Sequence, residues 1–518
     1  MGEEYHTTAG DMRDRLNAVS PSLCLAKWQQ VSLHLPQGLT QSCYHPPTHA
    51  IPVELLKTRP STLHNTPVKI QERKQMLEGK RPEGCSYCWK VEDARSDDPK
   101  GHLSDRHYRS SEWWNAPTFD EVTSNKFDYD VTPRYVEVNF NQACNFRCAY
   151  CSPHLSSTWE DEIKKHGGYQ LQGMTHNDLS ALERKGLMPL KVANKDNPYV
   201  QAFWEWWPTI YRKLRVFRMT GGEPLMDRNT FKVLDYVNEN PNGQLELSIT
   251  SNMCPPDQKL FETFMEKIKA LETVRVWEDK ENFNENSGNH WYVSPGYKHF
   301  TLFVSLDGYG PQAEYIRTGM NYSRLLENVR TYLRETHHTS ISFINTFNIL
   351  SIPSLRKFLE MILELREEFG GRVQKEYEIN PPDHNGFEHP SYLIKKFQRV
   401  WFDIPILRYP PWLSIQNAGS WGIEQVKECL TFMEENVQQD DYLETFEGFK
   451  PYELLKVRRD LAIMEQSVET KQLLTNKANF YEFIKEFDRR RQTSFLKSFP
   501  EMNHFYVECS KAYIRANA

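Results

Sequence analysis

The chain predicts an α/β fold built on a parallel sheet. Two observations carry this. From Tyr135 onward, short apolar runs of strand length alternate with longer segments whose apolar residues recur at helical spacing. That alternation implies βαβ units, whose strands run parallel and carry their chemistry at the C-terminal ends. The strands are read at RYVEVNF (134–140), RVFRMT (215–220), LELSITS (245–251), FTLFVSLDG (300–308) and SISFINTFNIL (340–350), with WLSIQN (412–417) as a sixth. Between them FKVLDYVNEN, LFETFMEKIKAL, YSRLLENVRTYLRE and LRKFLEMILELREEF predict helices. Before this region, residues 1–115 read as irregular and rich in Pro, His and Cys, with one helical stretch at IQERKQMLEG (70–79). Beyond Gly422 the pattern is helical to the end. The expected division is 1–125, 126–420 and 421–518.

Composition narrows the function classes. Of 518 residues, 25% are charged and 39% apolar, which suits a packed globular protein rather than a disordered one. No apolar run approaches the ~18 residues of a membrane span. The N-terminus, MGEEYHTTAGDMRDRL, is polar and acidic, so a secretory signal is not expected and a cytoplasmic setting is. Cysteines stay reduced there, and clustered ones point to metal or catalysis before disulfides. The net charge of −6 comes from 63 basic and 69 acidic side chains without a long run of either sign, and does not favour a nucleic-acid partner. Arg489, Arg490 and Arg491 read as a solvated helix face. FWEWW (203–207) and SSEWW (110–114) read as packing, and 152–200 as an insertion.

Three of the ten cysteines fall within QACNFRCAYCS, as Cys144, Cys148 and Cys151, directly after the strand at 134–140. A C-x3-C-x2-C loop supplies three soft thiolates, suited to an iron–sulfur centre. Without a fourth local ligand, one iron keeps an open position. Structural zinc completed by His154 is the rival. Later strand ends carry further signals: Gly221, Gly222, Glu223 and Pro224 in MTGGEPLM, Ser251 and Asn252 in ITSN, Ser305 and Asp307 in VSLDG, and Arg317 in AEYIRTG.

On these residues the chain resembles the radical S-adenosylmethionine (SAM) enzymes, whose hallmark is C-x3-C-x-aromatic-C, with Tyr150 at the aromatic position, followed by a GGEP motif. The resemblance implies a partial (β/α)6 barrel of the TIM type. It implies a [4Fe-4S] cluster on Cys144, Cys148 and Cys151, whose open iron chelates SAM. One electron then cleaves SAM to methionine and a 5′-deoxyadenosyl radical, which abstracts hydrogen from a substrate. Gly221 and Gly222 would let backbone approach the SAM amino group. Glu223 and Pro224 would fix the loop or meet the ribose, and Arg317 would pair with the SAM carboxylate. Tyr150 and the apolar strand ends would flank the adenine, and Ser251, Asn252, Ser305 and Asp307 are further expected cofactor-binding residues.

Four more cysteines lie upstream. Cys24 and Cys43 read C-x13-G-x4-C, and Cys85 and Cys88 form a C-x2-C knuckle. Together they resemble the twitch module, a shortened SPASM domain, which implies an auxiliary [4Fe-4S] cluster. That module usually follows the core, whereas here it precedes it. Zinc on the same four thiolates is the alternative. Cys254, Cys429 and Cys509 read as core residues. Relatives with auxiliary clusters often modify peptides, so a peptide or protein substrate is the first expectation and a sugar or nucleotide derivative the second. A flavodoxin or ferredoxin is the expected electron donor. A zinc-stabilised scaffold without catalysis is the reading from outside enzymology. The helical C-terminal region matches no motif.

Overall fold

A computed structural model describes residues 7–95, 100–272, 275–276, 292–293, 297–369, 373–379, 390–396, 398–438, 447–467 and 470–517. The chain is mixed α/β and packs as two units that interleave in sequence. One comprises Met1–Gln142, Gly186–Gly222 and Asn242–Ser248, the other Ala143–Lys185, Glu223–Pro241 and Ile249–Ala518.

In the first unit, strand Gln30–His34 runs parallel to Tyr135–Asn139, and Tyr135–Asn139 parallel to Val216–Thr220. Leu39–Gln41 and then His49–Ala50 extend the sheet antiparallel from Gln30–His34. Beside these strands lies a core containing Met12, Leu16, Leu23, Trp28, Met76 and Val131. The described residues among 1–115 therefore hold more regular structure than their composition suggests. The strand Gln30–His34 was not expected. Its run QVSLH is short and half polar, yet Gln30 through Leu33 are all buried. A parallel strand covered on both faces normally reads as continuous apolar sequence, a signal this one lacks.

In the second unit, Tyr297–Ser305, Thr339–Ile344 and Val400–Asp403 lie side by side and parallel. Phe300, Leu302 and Val304 bury one side of the first of these, as period-two alternation requires. Helices Tyr322–Glu335 and Leu355–Phe369 follow the predicted boundaries. The first is started by Asn321, whose side chain accepts the Arg324 N–H. The sixth strand is Val400–Asp403, not 412–417 as expected. Residues 412–417 instead fall in two 3₁₀ turns, Pro411–Leu413 and Ile415–Asn417. The cause is local. Pro410 and Pro411 offer no N–H to a ladder, and the Ser414 side chain accepts the Gln416 N–H, which favours a turn. The parallel strands and their helices are compatible with the expected barrel class. Helices Gly419–Glu435, Pro451–Glu465, Lys471–Arg491 and Asn503–Asn517 fill the C-terminal region. No described helix is long and apolar enough to cross a membrane.

Candidate functional site

The cysteine triplet lies in the second unit on a loop held almost wholly through its backbone. Arg147–Cys148 pairs antiparallel with Arg317–Thr318, and the Ala149 N–H donates to the Ile316 carbonyl. The run SSTW (156–159), at the start of helix Ser157–His166, supplies further ties. Ser157 Oγ accepts the Cys144 N–H at 3.2 Å. Ser156 Oγ and Thr158 Oγ1 both donate to the Phe146 carbonyl, at 2.9 and 2.7 Å. Trp159 Nε1 donates to the Cys148 carbonyl at 2.9 Å. Asn177 Nδ2 donates to the Cys151 carbonyl at 3.2 Å. The start of the supposed insertion is thus the scaffold of the cysteine loop.

Two donors aim at the sulfurs themselves. The Phe146 N–H lies 3.4 Å from Cys144 Sγ, and Arg317 Nη1 lies 3.5 Å from Cys148 Sγ. Burial pushes the Cys144 thiol up to about 12 and raises Cys148 and Cys151 as well. Free thiolates are therefore costly at neutral pH, and the donor set gains most from a group that takes all three as ligands. Three soft sulfurs on one short loop, with N–H donors directed at two of them, fit an iron–sulfur cluster.

Around the loop, Arg317 forms a buried ion pair with Asp307, Nε to Oδ2 at 2.7 Å. Arg317 Nη2 also donates to Tyr150 Oη at 2.6 Å, and Tyr150 Oη donates to Asp307 Oδ2 at 2.7 Å. Thr346 N–H donates to Asp307 Oδ1 at 2.8 Å. Arg317, Asp307 and Tyr150 thus act as one unit beside Cys148. Glu223 is buried and ties strand ends together. Its carboxylate accepts from the Leu225 N–H, Ser251 Oγ and the Asn252 N–H at 3.1, 2.7 and 2.7 Å. Burial raises Glu223 to about 7, while these three donors work in the opposite direction. Asn252 Nδ2 donates to Asn145 Oδ1 at 2.9 Å, and Asn145 Nδ2 to the Cys254 carbonyl at 2.8 Å. Asn145, between the first two cysteines, was not singled out in the sequence. Pro224 is buried at the start of a 3₁₀ turn, and Ser305 ends its strand half-buried. His154 Nδ1 bonds to Ser152 Oγ at 2.8 Å.

Gly221 and Gly222 belong to the first unit. Gly221 has φ +128°, and a Cβ there would come within 2.2 Å of Asn139 Oδ1. Asn139 Oδ1 is itself buried with no hydrogen-bond partner among the described residues. The Gly222 N–H donates to the Asn141 carbonyl at 3.3 Å.

The upstream cysteines also meet. Cys24, Cys43, Cys85 and Cys88 line one cavity of the first unit, walled further by Lys27, His45, Trp89 and Arg106. Burial first, then the charges of Cys85, Cys88 and Cys43, raise the Cys24 thiol. Lys27 Nζ is ion-paired to Glu72 at 2.7 Å at the edge of this group. His45 bonds to Asp105 and stacks on Tyr87, with ring centroids 3.7 Å apart. Among the described residues no three His, Cys, Asp or Glu side chains are spaced, as they stand, for a single metal ion. Cys254, Cys429 and Cys509 are buried.

No family model matches the chain. It is similar to the GTP 3′,8-cyclase of Trichodesmium erythraeum (strain IMS101), 26% identical over 170 residues, covering 31% of this chain and 42% of that protein. The GTP 3′,8-cyclase of Trichormus variabilis is 26% identical over 160 residues, covering 30% of this chain and 38% of that protein. The Nostoc sp. (strain PCC 7120) protein of the same name gives the same identity and coverage. The chain thus spans about two-fifths of the length of the curated relatives it matches. These likenesses support the radical SAM superfamily. They do not extend to the twitch or SPASM subgroup.

Proposed function

We propose that the chain is a radical SAM enzyme with Cys144, Cys148 and Cys151 as ligands of a [4Fe-4S] cluster. The observation that carries this is the thiol loop itself. Three cysteines without a fourth sit on one braced loop, next to the buried Arg317–Asp307–Tyr150 unit. When bound, cluster and SAM supply one-electron cleavage to a 5′-deoxyadenosyl radical that takes hydrogen from a substrate. The chain's own residues position and shield. Arg317 brings positive charge to Cys148. Its guanidinium is already engaged by Asp307, so a SAM carboxylate would be met by that pair as a whole. Glu223 holds Ser251 and Asn252 in place, a structural role rather than that of a base. Within the first unit, Gly221 lets the backbone pass close to Asn139, whose Oδ1 has no hydrogen-bond partner among the described residues.

For the substrate we favour a small nucleotide derivative over a peptide. The relatives' printed name supports this, since they are cyclases of GTP. A cavity of about 580 Å³ in the second unit, lined by His299, Thr301, Ser340, Ser342 and Trp401 among others, also has small-molecule size. The peptide reading rests on the upstream cysteine module alone. For that module we propose a second, closed [4Fe-4S] cluster on Cys24, Cys43, Cys85 and Cys88, with a flavodoxin or ferredoxin as electron donor.

The test is anaerobic reconstitution followed by dithionite and SAM. Wild-type protein is expected to release 5′-deoxyadenosine, and Cys148→Ala to release none. Undiminished release by Cys148→Ala would sink the assignment. Metal analysis decides the upstream site: about eight irons per chain fit two cubanes, whereas about four irons and one zinc overturn the second. Faster deoxyadenosine formation with nucleoside triphosphates than with peptide mixtures supports the substrate class, and the reverse order removes it.

A further inference from the structure

The triple arginine at the end of helix Lys471–Arg491 is not a solvated face. Arg489 is exposed, but the side chains of Arg490 and Arg491 are 2% and 0% exposed. Arg491 reaches the cysteine loop. Its Nη1 donates to the Arg147 carbonyl at 2.6 Å and to Thr318 Oγ1 at 3.0 Å, which clamps the two-stranded pairing of Arg147–Cys148 with Arg317–Thr318. Its Nε pairs with Glu162 at 3.0 Å, and its guanidinium lies over the rings of Phe487 and Trp159, at 3.8 and 4.8 Å. Trp159 is the residue that donates to the Cys148 carbonyl.

The charge balance here is uneven. Glu162, itself buried, faces Arg147 at 3.3 Å, Arg491 at 3.0 Å and Arg490 at 4.0 Å, and also accepts from Tyr169 Oη. Arg490 has its own carboxylate, Glu486 at 2.7 Å. One carboxylate therefore serves both Arg147, whose side chain is 36% exposed and partly solvated, and Arg491, whose side chain is wholly buried. A buried guanidinium that shares its carboxylate is stabilised by further negative charge close by. A cluster held by three thiolates supplies such charge.

We infer that Arg491 is a positioning residue for the cluster loop: the C-terminal helix braces the backbone around Cys148 and sets buried positive charge behind it. This rests on the cluster reading proposed above. A fixed cation favours the more negative, reduced form of a cluster, so removing it shifts the reduction potential downward. The brace and the charge separate experimentally, because lysine keeps the charge and loses the planar fork.

The test uses full-length protein, reconstituted anaerobically, with the midpoint potential followed by electron paramagnetic resonance. Amide exchange at 147–149 is measured on the cluster-free protein. Arg491→Met is expected to retain its irons, shift to a more negative potential and exchange faster. Arg491→Lys is expected to return the potential close to wild type while exchange stays fast. Arg489→Met is expected to match wild type in both. Wild-type potential and exchange in Arg491→Met overturn the inference, as does a lysine variant whose potential stays low. If Arg491→Met does not fold, Arg491→Lys decides alone: faster exchange supports the brace, and wild-type exchange removes it. Wild-type protein that takes up no cluster would instead remove the underlying reading, and the exchange measurement would still judge the brace.

Discussion

Asp307 and Arg317 show how much one pair near the cysteines holds. Both are buried, and Asp307 also accepts from the Thr346 N–H. Asp307→Ala leaves a guanidinium uncompensated in the interior. The expected cost is about 3–5 kcal/mol, read as a lower urea midpoint. Gly221→Ala is expected to fail differently. It combines φ +128° with a Cβ 2.2 Å from Asn139 Oδ1, so strain and overlap both act. A loss of roughly 1–3 kcal/mol is expected by thermal unfolding, and no loss would show that Asn139 moves aside freely. Residue identity was the most legible level of this chain. Cysteines at fixed spacing, a Gly-Gly pair and an Asp at a strand end announce themselves because few other residue types can do their work. Asn145, Glu162 and Arg491 did not. Their value depends on partners far away in sequence, and in isolation each looks like an ordinary polar surface residue.

Elements were legible where periodicity was strong. Tyr322–Glu335 and Leu355–Phe369 carry clean apolar faces, so their bounds followed from spacing. Gln30–His34 was missed because its buried face includes Gln30 and Ser32, and 412–417 was misread because local turn chemistry outweighed its apolar content. What spacing could not show is how helices are joined. Arg366, on helix Leu355–Phe369, pairs with Glu453 on Pro451–Glu465 at 2.6 Å, with neither side chain exposed. Arg366 also donates to the carbonyls of Gly448 and Val400, at 2.9 and 3.1 Å. Glu453→Ala is expected to destabilise by about 3–5 kcal/mol in chemical denaturation. Replacing both partners with leucine and methionine is expected to recover much of that loss, since the penalty is mainly the orphaned charge. A double variant no better than the single would contradict this account.

At the scale of the whole molecule, buried histidines shape the response to acid. His176 bonds through Nδ1 to Tyr409 Oη at 3.4 Å and lies among Tyr169, Trp412 and Phe483; burial holds it down to about 4. His107 is likewise lowered to about 4, with burial the leading cause. A histidine kept neutral in the fold takes its proton first in the unfolded chain. Its contribution is therefore intact above about pH 6.5 and falls between there and pH 4, by about 1.4 kcal/mol per pH unit for each such group. His176→Phe is expected to flatten the decline of unfolding free energy over that window, and an unchanged slope would show that His176 does not drive it. The interleaving of the two units has a consequence in time. A ribosome must extrude residue 248 before the first unit owns all of its chain, roughly 10–50 s after synthesis begins at common elongation rates. Cys24, Cys43, Cys85 and Cys88 emerge well before Tyr135–Asn139 and Val216–Thr220, the strands that extend the sheet from Gln30–His34. The cavity around those four thiols is lined by residues between Cys24 and Arg109, so all of its walls are on the nascent chain before either strand is. The four thiols can therefore be enclosed while more than half of the chain is still unmade, and the rest of the sheet is added to a cavity whose lining is already present.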